Sequence, residues 1–143
     1  MAPTRPTTPT APNPGTASGL AAWHTVVESR DPAQLDALLA DEAVFTSPIV
    51  HTAQVGKGLT AMYLTGAMHV LGNDSFTYVR EVVDGPNAVL EFETIVDGIT
   101  VNGVDMIRFD EAGQIVDFKV MLRPMKAINL VGQKMAEMLE SLR

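Results

Sequence analysis

The stretch Val101-Asn102-Gly103-Val104-Asp105-Met106-Ile107-Arg108-Phe109 places β-branched and apolar residues at alternate positions, the pattern of a strand with one buried face. Side chains of a strand point alternately to its two faces, so Asp105 shares a side with Val101, Ile107 and Phe109. A carboxylate among apolar neighbours loses hydration, which favours the acid form and raises the pKa. Such a group can give or hold a proton near neutral pH. On a wet face the same residue is merely solvated.

This strand is one of four runs of similar character: Phe76 to Val83, Ala88 to Val96, Ile99 to Phe109 and Ile115 to Leu122. Their joints carry turn chemistry, in Asp84-Gly85-Pro86-Asn87, Asp97-Gly98 and Asp110-Glu111-Ala112-Gly113. Joints this short make antiparallel neighbours, because a parallel crossover needs a dozen or more residues. Upstream, Ser18 reads as the N-cap of a helix carrying Leu20, Trp23, Val26 and Val27. Asp31-Pro32 opens a second, short helix with Leu35, Leu38 and Leu39 as its stripe. Ala43 to Thr46 reads as a short strand stopped at Ser47-Pro48, and a third helix runs from about Leu59 to Leu71. Pro124 opens a last helix with Ile128, Val131, Met135, Met138 and Leu142 on one stripe. Residues 1–18, dominated by Pro, Thr and Ala, read as a disordered leader before one domain over 19–143. The fold class is α+β: a curved antiparallel sheet with N-terminal helices in its concave face and a C-terminal helix beside it.

This element order, with Asp31 to Ala43, then Ser47-Pro48, Gly56-Lys57-Gly58 and the Val104 to Phe109 strand, resembles the nuclear transport factor 2-like superfamily. Within it the resemblance is to ketosteroid isomerases and SnoaL-type polyketide cyclases, whose fold is a cone around a pocket. It implies that Asp105 faces that pocket as an acid/base group. The isomerase's catalytic aspartate falls at Ser47, which argues against steroid isomerisation, and its oxyanion-binding tyrosine falls at Trp23, whose indole N–H donates one hydrogen bond. A SnoaL-type cyclase would use Asp105 on a polyketide enol or carbonyl. Limonene epoxide hydrolases need an Asp–Arg–Asp set that this strand lacks. In the family's register Asp117 and Lys119 face away from the cavity, whereas Leu90, Phe92, Phe118, Val120 and Leu122 form its apolar wall.

His51 is the second candidate: in an extended chain it shares a face with Ser47, and a neutral imidazole near Asp105 would form an acid/base pair, whereas otherwise it stands half exposed in the loop before Gly56. Tyr63 either offers its hydroxyl to the cavity or packs at its mouth. His24 and His69 are not read as catalytic. The abundant methionines serve either the core or a cavity for a flat, apolar ligand.

Composition narrows the remaining choices. The 143 residues are 46% hydrophobic and 19% charged, ordinary values for one globular domain. A formal net charge of -7 without any Lys/Arg run argues against a nucleic-acid partner. With no cysteine there is no disulfide or thiolate chemistry, which fits a cytoplasmic protein. Neither a membrane span nor a signal peptide is read. The three histidines lack metal-ligand spacing, and no phosphate-binding glycine loop or serine-nucleophile elbow is present, so no cofactor or metal is expected. Two classes stay open: a cofactor-free cyclase or isomerase acting through Asp105, and a non-catalytic module for ligand binding or dimerisation. Epoxide hydrolysis is the weaker enzyme reading. The expected partners are a small apolar or polycyclic ligand and a second copy of the chain.

Overall fold

The computed structural model describes residues 10–142. Helix α1, Pro14–Ser29, is followed by a 3-10 turn, Pro32–Gln34, and a single helical turn α2, Leu35–Leu38. Strands β1, Leu39–Thr46, and β2, Gln54–Val55, precede helix α3, Lys57–Leu71. Four long strands follow: β3 Thr77–Asp84, β4 Asn87–Val96, β5 Ile99–Phe109 and β6 Ile115–Arg123. Helix α4, Met125–Ser141, closes the chain.

The strands form one sheet in the order β2-β1-β6-β5-β4-β3. The β3 to β6 meander is antiparallel, as its turns require. At the β4–β5 joint Asp97 and Gly98 both have positive φ, 49° and 77°, the backbone of a two-residue hairpin turn whose twist matches its strands. The expected antiparallel sheet is present, and one parallel pair, β1 on β6, is added at its edge. The chain between them contains α3 and four strands, ample for a crossover. β1 also starts at Leu39, earlier than its apolar pattern indicates, and carries the short β2 at the sheet edge.

Order begins before the boundary set at Ser18. Pro14 stands in the first turn of α1, where its missing N–H costs nothing, and buried Thr16 donates its hydroxyl to the Gly85 carbonyl at 2.7 Å. Thr10 also bonds to Asp84 through its amide and hydroxyl. The rest of the expected leader, residues 1–9, lies outside the described residues. Ser18 is not a cap but donates within the helix to the Gly15 carbonyl. Gly15 and Gly19, one turn apart, let α1 press against the β5–β6 turn; a Cβ on Gly15 would meet the Asp110 carbonyl, and one on Gly19 the Gly113 carbonyl and the Phe109 ring. Asp31 acts as expected, its carboxylate accepting from the Ala33 amide at 3.0 Å.

The core lies between the concave sheet face and the helices, with Trp23 and Val26 of α1, Leu35 of α2, Leu64 of α3 and Val131 of α4 all buried against it. Placing α4 merely beside the sheet understates its part, because it also closes over the concavity. No helix among the described residues is long and apolar enough to cross a membrane.

Candidate functional site

The concave face holds a cavity of about 520 Å³ between the sheet and helices α1, α3 and α4. Its position follows from register. Leu90, Asp105 and Val120 are aligned across β4, β5 and β6, and Phe92, Gly103 and Leu122 form the neighbouring row. Gly103 leaves room for its neighbours, since a Cβ there would collide with the Phe92 ring and with Leu122. Aromatic rings from three layers line the hollow: Trp23 from α1, Phe45 from β1, Tyr63 from α3, and Phe76, Phe92 and Phe118 from the sheet side. Trp23 meets Phe118 edge-on at 4.9 Å, and Phe76 stacks on Phe92 at 5.0 Å. Met68 and Met135 also line it, whereas Met121 and Met125 are exposed.

Asp105 is 6% exposed, the only buried carboxylate among the described residues, and it reaches this cavity. The Tyr78 hydroxyl donates to Asp105 Oδ2 at 2.6 Å, and Trp23 Nε1–H donates to the Tyr78 oxygen at 3.0 Å. Burial pushes the Asp105 carboxyl up to about 7, the Tyr78 hydrogen bond opposing the shift in part. Tyr78 itself is raised well above its usual value, first by burial and then by the adjacent Asp105. The site therefore contains one carboxyl group whose charge changes near neutral pH, beside a phenol that keeps its proton.

The structure brings Asp105, Trp23, Ser47, Tyr63, Phe92, Phe118, Val120 and Leu122 to one cavity. Leu90, expected as a wall, is fully buried in the core beneath and does not line it. His51 is a clear correction: it is exposed and stands apart from the lining residues. The reason lies at Ser47, whose Oγ accepts from the amides of Ile49 at 2.9 Å and Val50 at 2.8 Å. That turn ends the extended chain that would have aligned His51 with Ser47. Asp117 and Lys119 stay outside the cavity, as the register implied; Asp117 is raised by partial burial, with Lys119 and Arg108 opposing. Tyr78 was missed by sequence reasoning, although its place within the run Phe76 to Val83 offered a signal through strand alternation.

The mouth is more polar. His24 Nε2 lies 2.6 Å from Glu81 Oε1 and Arg30 bonds to Asp74 at 2.9 Å, while His24, Glu28, Arg30, Asn73 and Thr77 all line that end. Among the described residues no His, Cys, Asp and Glu cluster could hold a metal ion.

Residues 20–118 match the SnoaL-like domain. The chain belongs to the SnoaL-like family. Among solved structures, this SnoaL-like chain is similar to a steroid delta-isomerase from Pseudomonas aeruginosa, with 39% identity and a TM-score of 0.86 over 91% of this chain and 95% of that one. A bacterial protein with a cystatin-like fold from Silicibacter pomeroyi DSS-3 is 30% identical, with a TM-score of 0.78 over 87% and 86% of the two chains. A protein of ketosteroid isomerase-like fold from Catenulispora acidiphila DSM 44928, in complex with trimethylamine, is 13% identical over 79% and 90% of the two chains with a TM-score of 0.59, a likeness of fold alone. No curated protein matches the chain.

Proposed function

We propose that this SnoaL-like protein binds a small, flat, apolar molecule bearing a carbonyl or enol oxygen, and that Asp105 exchanges a proton with it in a cofactor-free isomerisation or cyclisation. The observation that carries this reading is a single buried carboxyl, raised to about 7, at an aromatic-lined cavity of about 520 Å³. A general acid or base works best when its pKa lies near the working pH, and an enol or enolate is the species such a group makes or quenches. The similarity to a protein named steroid delta-isomerase supports a polycyclic ligand.

Ser47 favours the second reading, a non-catalytic ligand-binding module. Where the isomerases carry a basic aspartate, this chain has a hydroxyl oxygen that accepts from two backbone amides. Epoxide hydrolysis draws no support, since Asp105 is the cavity's one aspartate and Arg30 is committed to Asp74.

Following a β,γ-unsaturated polycyclic ketone as it becomes conjugated, by the rise in ultraviolet absorbance, tests the enzyme reading. Turnover by the wild-type protein that Asp105→Asn abolishes is expected. Equal turnover by both removes Asp105 as the proton carrier. A ligand that co-purifies unchanged, with no turnover, selects the binding module.

The convex face points to a second copy of the chain. Val82, Ile95 and Met121 are each at least half exposed there, beside Arg80, Glu91 and Arg123. Apolar residues mixed with both signs of charge suit an interface with a polar rim, and two-fold pairing is the commonest assembly.

A further inference from the structure

The phenol of Tyr78 takes no part in the proton exchange assigned to Asp105. Its oxygen accepts from Trp23 Nε1–H at 3.0 Å, and its hydroxyl lies 2.6 Å from Asp105 Oδ2. An indole nitrogen only donates, so Trp23 occupies one acceptor position on the Tyr78 oxygen. An ionised Asp105 only accepts, and then the Tyr78 proton points at Oδ2. A neutral Asp105 has a proton to give, and the Tyr78 oxygen has a second lone pair to receive it. The phenolic proton is then free to turn into the cavity, which Tyr78 lines.

We propose that Tyr78 is the residue that donates a hydrogen bond to the ligand's carbonyl oxygen, its hydroxyl turned to the ligand when Asp105 is neutral and withdrawn when Asp105 is ionised. This rests on the carbonyl-binding reading above and adds the contacting group and its control. Trp23 acts through Tyr78 as a positioning residue. With two donors feeding its oxygen, the Tyr78 O–H is polarised and becomes the stronger donor. Burial of Asp105 sets the change near neutral pH, while Tyr78 remains protonated.

Few other charged groups face the pair. From α1, the His24 ring lies edge-on to Tyr78 at 5.5 Å and is bonded to Glu81 of β3. Glu28 and Arg30 stand at the mouth. The α3 lining adds only the Tyr63 phenol, and the α4 lining adds no titratable group.

The test is calorimetric binding of 2-acetylnaphthalene, a flat ketone that accepts hydrogen bonds and donates none, at about pH 5 and about pH 9, either side of the Asp105 transition. The wild-type protein is expected to bind roughly tenfold more tightly at the lower pH, the weight of one hydrogen bond in a buried site. Tyr78→Phe should bind weakly and equally at both. Asp105→Asn, whose amide always donates to Tyr78, should bind tightly at both. His24→Gln should keep the wild-type pattern. Wild-type affinity in Tyr78→Phe at the lower pH overturns the inference and leaves Asp105 as the proton carrier, as does loss of the pH dependence in His24→Gln. Failure of the wild-type protein to bind the ketone at either pH overturns both readings.

Discussion

Tyr78 and Asp105, 27 residues apart in sequence and on strands that do not pair with each other, are joined by a 2.6 Å hydrogen bond across β4. The bond offsets part of what burial costs the ionised carboxyl. A carboxyl titration followed by NMR should therefore place Asp105 near 7, and Tyr78→Phe should move it higher. A value near 4 in the wild-type protein would contradict the assignment.

The same group makes folding stability depend on pH. Its folded pKa, about 7, lies above its unfolded value, so between about pH 4 and 7 the folded state holds a proton that the unfolded chain has lost. Stability should consequently fall as pH rises through that window, by about 1.4 kcal/mol per pH unit from this residue alone. Denaturant titrations should show that slope in the wild-type protein and its loss in Asp105→Asn, which should be the more stable form at about pH 8.

Ser47 is a structural acceptor for two amides. Ser47→Ala should cost about 1 kcal/mol, since both amides lose their partner at a half-exposed turn. An unchanged denaturation midpoint would mean that water replaces the hydroxyl without loss.

Gly19 has no spare volume. Gly19→Ala would drive a methyl against the Gly113 carbonyl and the Phe109 ring, and the neighbouring backbone cannot yield as a flexible side chain would. We expect a loss of about 3 kcal/mol, whereas Gly58→Ala, whose Cβ meets open space in a helix, should be neutral or stabilise by up to about 1 kcal/mol. Equal thermal midpoints for the two variants would refute the close approach.

For the proposed homodimer, light scattering should give twice the 15.3 kDa of one chain. Met121→Glu, on the half-exposed convex position, should return the mass to that of the monomer. A monomer mass persisting at high concentration would exclude pairing through this face.

The meander was legible because its signals are local: alternation within each run, and turn residues between runs that leave no length for a crossover. Asp105 was legible for the same reason, as a charge interrupting an apolar face. The partners of that charge were not. Tyr78 reaches it only through the register of β3 on β4 and of β4 on β5, a property of pairing that no single strand carries. The β1–β6 pairing is equally long-range. His51 failed for a local reason, because the extension assumed after Ser47 competes with a side-chain turn that Ser47 itself makes. At the N-terminus, a Pro/Thr/Ala composition masked Pro14 as a helix-start signal, and the buried contacts of Thr16 and Gly19 outweigh that composition.

The one tryptophan of this chain is the residue bonded to Tyr78 at the floor of the cavity. Indole emission responds to nearby charge and to the polarity around its N–H. The protein thus carries a built-in optical reporter, read without label and with no second indole to dilute it. Its wavelength and intensity will register the ionisation of Asp105 through Tyr78, and the arrival of any aromatic guest against the ring, in one spectrum.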